Sequence, residues 1–138
     1  MHFMVPAVVA LLLMAPAICV ADIKRHKTVP ETFWGQWGLA DQPCSQDSRL
    51  ALVITGTSYT RPDARCAIDW VGETAGRAGP IYSAHMRCSA GEGAQPSTAN
   101  LILMSRDSAV VALGGDFQSL QSYRRCPAGL QPTPAAEE

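Results

Sequence analysis

The sequence predicts an all-β domain, a small antiparallel meander that closes into a barrel or a sandwich and carries two disulfides. Three observations predict it. Short apolar or alternating runs recur at near-regular spacing, and Gly, Pro, Asp and Ser stand between them. Four well-spaced cysteines, Cys44, Cys66, Cys88 and Cys126, span the same region. No window holds a helical stripe of three turns.

The strands can be placed in order. A first strand precedes Cys44, and Leu50-Ala51-Leu52-Val53-Ile54-Thr55 is an apolar run that ends at Gly56. Cys66 to Val71 alternates and stops at Gly72, and Ile81 to Cys88 alternates after Gly79-Pro80. Alternation sets His85 on one face with Ile81, Ser83 and Arg87, opposite Tyr82, Ala84 and Met86. Ala99 to Met104 and Ala109 to Leu113 flank Ser105-Arg106-Asp107-Ser108, a polar stretch of hairpin length. Gly114-Gly115-Asp116 then leads into a last strand from Phe117 to Arg125.

The ends of the chain have a different character. Met1 to Ala21 contains no Lys, Arg, Asp or Glu, and Pro6 and Pro16 bracket an apolar centre of about ten residues, the size of a signal-peptide h-region. That is short of the roughly 20 residues a spanning helix needs. The Cys19-Val20-Ala21 sequence has the small-residue character of a cleavage site, which places the cut after Ala21. Acylation of Cys19 as a lipoprotein is disfavoured, because Ile18 precedes it where a small residue is expected. Residues 22–31 form a basic leader, 32–126 a single β domain, and 127–138 a Pro-rich acidic tail with nothing to bury and therefore expected to be disordered. The mature chain is expected to be secreted or periplasmic, with no transmembrane span after processing.

The cysteines fit that compartment. Four allow three pairings. In a closing meander the first and last strands are neighbours, which joins Cys44 to Cys126. Cys66 opens one strand and Cys88 ends a later one, so antiparallel pairing sets them side by side. Nested bridges follow. The C-x₂₋₄-C spacing of zinc sites and the C-x-x-C of redox sites are both absent.

Charge and chemistry narrow the function classes. Lys and Arg number 11 against 12 Asp and Glu, so no field draws in nucleic acid. The one basic cluster, Lys24-Arg25-His26-Lys27, is either a solvated leader or a weak contact for anionic lipid or envelope polymer. Asp63, Asp69, Glu73, Glu92, Asp107 and Asp116 fall mostly in turn-like contexts, where carboxylates satisfy local backbone N–H groups. His85 is expected on the surface. No G-x-S-x-G, phosphate loop or metal-ligand spacing is present, so neither an enzyme nor a cofactor or metal site is expected.

Trp34-Gly35-Gln36-Trp37-Gly38, Cys88-Ser89-Ala90-Gly91-Glu92-Gly93 and Ser122-Tyr123-Arg124-Arg125-Cys126 resemble the layout of small secreted bacterial proteins of unassigned function. More weakly, Gly35-Gln36-Trp37 resembles the Gly-x-Trp of the first strand in calycin-type barrels, particularly small periplasmic inhibitors of secreted metalloproteases. That resemblance implies a barrel whose Trp37 plugs one end, with a basic residue of the last strand, Arg124 or Arg125, packed over the indole. It also implies an inhibitory N-terminal segment, here Asp22 to Glu31. The leading expectation is a non-enzymatic secreted binding protein, monomeric, whose partner is a protein or a small envelope component. The alternatives are an inhibitor of a protease or lytic enzyme, acting through the leader or a barrel-end loop, and a small-ligand carrier. Short strands argue against the carrier, because side chains would largely fill so small an interior.

Overall fold

Ala84 and Met86 are buried, while His85 between them and Arg87 after them face outward, and this period of two recurs along the strands. The computed structural model describes residues 22–44, 52–91 and 93–127, together with Pro16. The remainder of the export segment, with Cys19 and the Ala21 cleavage site, Glu92 and the tail beyond Pro127 lie outside the described residues.

The chain forms β1 (Lys24–His26), a 3₁₀ turn (Glu31–Phe33), β2 (Gly35–Leu39), β3 (Leu52–Ile54), β4 (Ser58–Arg61), β5 (Ala64–Gly76), β6 (Gly79–Ser89), β7 (Ser97–Ser105), β8 (Val110–Gly114) and β9 (Gln121–Arg125). β2 to β9 pair antiparallel in sequence order, and β9 pairs back with β2. Eight strands thus close into a barrel, not a sandwich. Closure removes the sheet edges that would otherwise template association. β1 lies against the far half of β5, in register from Lys24 opposite Glu73 to His26 opposite Val71.

Interior positions follow from the registers. Trp37 stands opposite Leu52, Ile54 opposite Tyr59, Cys66 opposite Cys88, and Leu103 opposite Leu113. All belong to one continuous apolar core. At Asp69 the β5–β6 register shifts. Strict alternation would carry Trp70 inward with Cys66 and Ile68. The bulge instead turns both Asp69 and Trp70 outward and returns Val71 to the core. β5 also runs through Gly72, where the apolar pattern stops, to Gly76, because the β6 partner continues to supply ladder hydrogen bonds.

Two further departures from the sequence pattern have local causes. β4, Ser58-Tyr59-Thr60-Arg61, is too short and polar to stand out as a strand, and its neighbours on both sides organise it. Residues 117–120 are a turn, not the start of β9. An Asp116 carboxylate oxygen accepts the backbone N–H groups of Gln118 and Ser119 at 2.9 and 2.8 Å and closes the chain on itself. The Ser105–Ser108 stretch is a turn as expected, with Asp107 accepting from Ala109 and Val110.

The nested disulfides are present, Cys44–Cys126 and Cys66–Cys88, with sequence separations of 82 and 22. The first joins the segment after β2 to the end of β9, on the outer face of the closing pair. The bridge packs over Gly38, where a Cβ would lie in ordinary contact, 3.4 Å from the Cys126 sulfur. The second crosses directly between paired strands inside the barrel. By loop-closure entropy they stabilise the fold by about 5 and about 3 kcal/mol respectively. Two disulfides fit an extracellular or periplasmic location. Among the described residues no helix is long and apolar enough to cross a membrane.

Candidate functional site

The barrel has two unlike ends. At the end where β2 begins, the leader folds across the opening. Val29 and Phe33 are buried, with the Phe33 ring edge-on to Tyr82 at 5.5 Å between centroids. Trp37 fills the space beneath them and is 1% exposed. Its indole N–H donates to the Phe33 carbonyl at 2.8 Å. Of the two basic residues on the last strand, Arg125 covers that indole, its guanidinium carbon 4.4 Å from the ring centroid. Arg125 stands opposite Trp37 in the ladder, whereas Arg124 stands opposite Gly38 and is exposed.

The same guanidinium donates to the carbonyls of Thr32, at 2.7 Å, and Trp34. It therefore ties the 3₁₀ turn, the first barrel strand and the last into one seal. Gly35 is required here. Its φ is +130°, a region open to glycine, and a Cβ would meet Arg125 Nη1 at 2.8 Å.

The leader pairs with β5 while its side chains stay exposed to solvent. Arg25 lies over the outward-facing Trp70, 4.0 Å from its ring centroid. The other face of Trp70 stacks on His85 at 3.6 Å. Lys24 and His26 approach the Glu73 carboxylate at 3.9 and 3.6 Å. Lys27 follows β1 and is exposed. Of the four basic residues, three thus have a neighbour on β5. His85 faces outward, as its alternation predicts.

The opposite end holds a cavity of about 330 Å³. Its floor is the Cys66–Cys88 disulfide with Met86, Leu101 and Leu113. The rings of Tyr59 and Tyr123 form walls, and Arg61, Ser97 and Gln121 stand towards the mouth. Among the described residues this end keeps a concave space that the expectation of a side-chain-filled interior did not include. The extra length of β5 and β6, up to the Gly76–Gly79 connection, lies at the sealed end and carries the leader strand. Burial pushes the Tyr59 hydroxyl above the ordinary phenol range, and the nearby Tyr123 pushes it further. Burial raises Tyr123 as well. Both remain hydrogen-bond donors at neutral pH. Arg61 is the one charged side chain in the lining, and its Nε donates to Asp63 at 2.8 Å.

Of the six carboxylates singled out in the sequence, five are occupied, and Glu92 lies outside the described residues. Asp63 pairs with Arg61, and Asp69 makes a two-pronged contact with Arg87 at 2.8 to 3.2 Å. Glu73 receives the leader, and Asp107 and Asp116 cap turns. Among the described residues no three His, Cys, Asp or Glu side chains gather where they could hold a metal ion.

The cavity residues Tyr59, Arg61, Gln121 and Tyr123 carried no motif that marks them. Tyr123 lay inside a stretch singled out for its arginines and cysteine. Near the cavity mouth, in the β8–β9 turn, Phe117 is 62% exposed, held by the Asp116 cap described above. Only its register as the tip of a turn distinguishes it, and the sequence pattern had placed it in a strand. In comparisons with protein-family models, curated proteins and solved structures, nothing matches this chain.

Proposed function

We propose that the protein is an exported, non-enzymatic binding protein that engages its partner through the cavity end of the barrel. The observation that carries this reading is the asymmetry of the two ends. One is sealed by Val29, Phe33, Trp37 and Arg125, and the other keeps a concave space with convergent polar groups. Carboxylates engaged in turns and ion pairs support binding over acid–base chemistry.

The test is native mass spectrometry of the mature protein after incubation with envelope extract. The wild type should carry a bound component that Ala99→Trp, which fills the cavity, does not retain. A component released chemically altered, or retained equally by the filled variant, would overturn the reading. N-terminal sequencing of the exported protein should begin at Asp22, in keeping with cleavage after Ala21.

Inhibition of a protease or lytic enzyme is a second reading, favoured by one observation. Phe117 is a large apolar side chain presented on a turn that its own Asp116 rigidifies, the form of an interface anchor. The docked leader makes the loop the better inhibitory element. Phe117→Ala should then abolish inhibition of a susceptible enzyme, and removal of residues 22–27 should not.

A further inference from the structure

We infer that the cavity end of the barrel receives a neutral saccharide unit, its hydroxyls met by the polar lining and one sugar face packed on Phe117. This rests on the binding reading above and names its ligand class. The surface that the cavity offers a guest is more polar than apolar. Met86, Leu101 and Leu113 in the floor are 2 to 5% exposed, so they leave a guest little hydrocarbon to cover. An apolar guest gains little here.

The polar groups towards the mouth are largely uncharged. Ser97 and Gln121 stand there, and the Tyr123 hydroxyl donates to Gln121 Oε1 at 3.4 Å, which joins a wall ring to the amide. Hydroxyl and amide side chains both donate and accept hydrogen bonds, as every sugar hydroxyl does. Arg61 is the one charged side chain in the lining, and Asp63 already neutralises it at 2.8 Å. A charged guest would leave water for a lining with no free counter-charge among the described residues.

An aromatic ring stands beside these groups. Gly115 and Ser119, in the turn between β8 and β9, belong to the cavity lining. The same turn presents Phe117 to solvent, and the Asp116 cap fixes its backbone. A pyranose uses both features at once. Its C–H groups pack on the negative face of an aromatic ring, and its hydroxyls reach outward to donors and acceptors. A volume of about 330 Å³ suits a short saccharide or the end of a glycan and excludes a folded guest.

The experiment is an amide NMR titration of the oxidised mature protein. Cellobiose, maltose and N,N′-diacetylchitobiose are the neutral probes, with cellobionate, chitobiose and octanol as anionic, cationic and apolar controls. A neutral disaccharide should shift the amides of Ser97, Gly115 and Gln121, and the controls should not. Phe117→Ala should weaken its binding about fivefold and Gln121→Leu about tenfold, each with the melting temperature unchanged. Ala99→Trp should abolish binding, with Ser97→Trp as the second filling variant where the first unfolds. Retention on cellulose or chitin, released by the matching disaccharide, would assign the unit to a polymer. Disaccharide binding without retention would assign it to a free oligosaccharide, and both outcomes support the inference.

No shift with any neutral disaccharide, equal binding of a control, or affinity unchanged in the Phe117→Ala, Gln121→Leu double variant would overturn the saccharide assignment. An envelope component of another class, held by the wild type and lost from Ala99→Trp, would then leave the binding reading standing. The absence of any such component would overturn both.

Discussion

The two ends of this barrel are built from the same alternating strands, yet one is solid and the other hollow. At the sealed end every interior side chain meets another, and the leader contributes Val29 and Phe33 from outside the meander. At the cavity end nothing comparable crosses the strands among the described residues. The contrast shows that alternation alone does not decide whether a small barrel is filled. A plug from outside the strand pattern does, together with a residue that locks it.

Mutations can sharpen the contrast. The largest effect belongs to the seal itself. Trp37→Ala should lower stability by about 3–5 kcal/mol, read by denaturant unfolding, because the indole is fully buried and its space cannot close. Truncating Leu113, whose neighbours already border empty space, should cost less. An equal loss at both positions would break the distinction between the ends.

Arg125→Met should follow, at about 2–3 kcal/mol, since it removes both the ring contact and the charged donor to the Thr32 and Trp34 carbonyls. Next comes a matched pair of enlargements. Ala84 is fully buried in the packed half, and Ala84→Leu should destabilise by about 1–3 kcal/mol through overpacking. Ala99 borders the cavity, and Ala99→Leu should stay within about 0.5 kcal/mol of the wild type.

Alkaline titration tests the cavity walls. Tyr59 and Tyr123 hold their protons above the phenol value of 10.0 that an unfolded chain would show. Between that value and the higher folded one, the native state binds more protons than the unfolded state, so stability falls as pH rises. Melting temperature should show no tyrosine contribution to its slope below about pH 10 and should drop above it. Tyr59→Phe with Tyr123→Phe should flatten the drop.

The smallest effect is at the leader. Arg25→Ala should cost about 0.5–1 kcal/mol, seen as faster amide exchange in β1 with the barrel strands unchanged.

Much of this architecture was legible before any coordinates. Runs of alternating apolar residues, turn residues between them and the absence of helical stripes specify antiparallel strands, because a pleated strand sends successive side chains to opposite faces. The cysteine pairing followed from the meander for the same reason, since strand neighbours in a closed barrel are dictated by order. Trp37 as a plug was legible from its likeness to other Gly-x-Trp strands. The cavity was not. It depends on which interior positions lack an opposing side chain across the barrel, and that is a property of eight strands at once. Gln36 shows the same limit. It is 1% exposed, and its amide finds no hydrogen-bond partner among the described residues, on the face of β2 that alternation gives to solvent.

The sequence by itself determined the fold class, the nested bridges and the outward placement of His85. The resemblance to Gly-x-Trp strands narrowed the residue over Trp37 to Arg124 or Arg125. Tertiary structure decided between those two, turned Trp70 outward at the bulge and laid the basic leader onto β5. The physical reason is register. A shift of one residue sends every side chain of a strand to the other face, and register is set by pairing with strands distant in the chain.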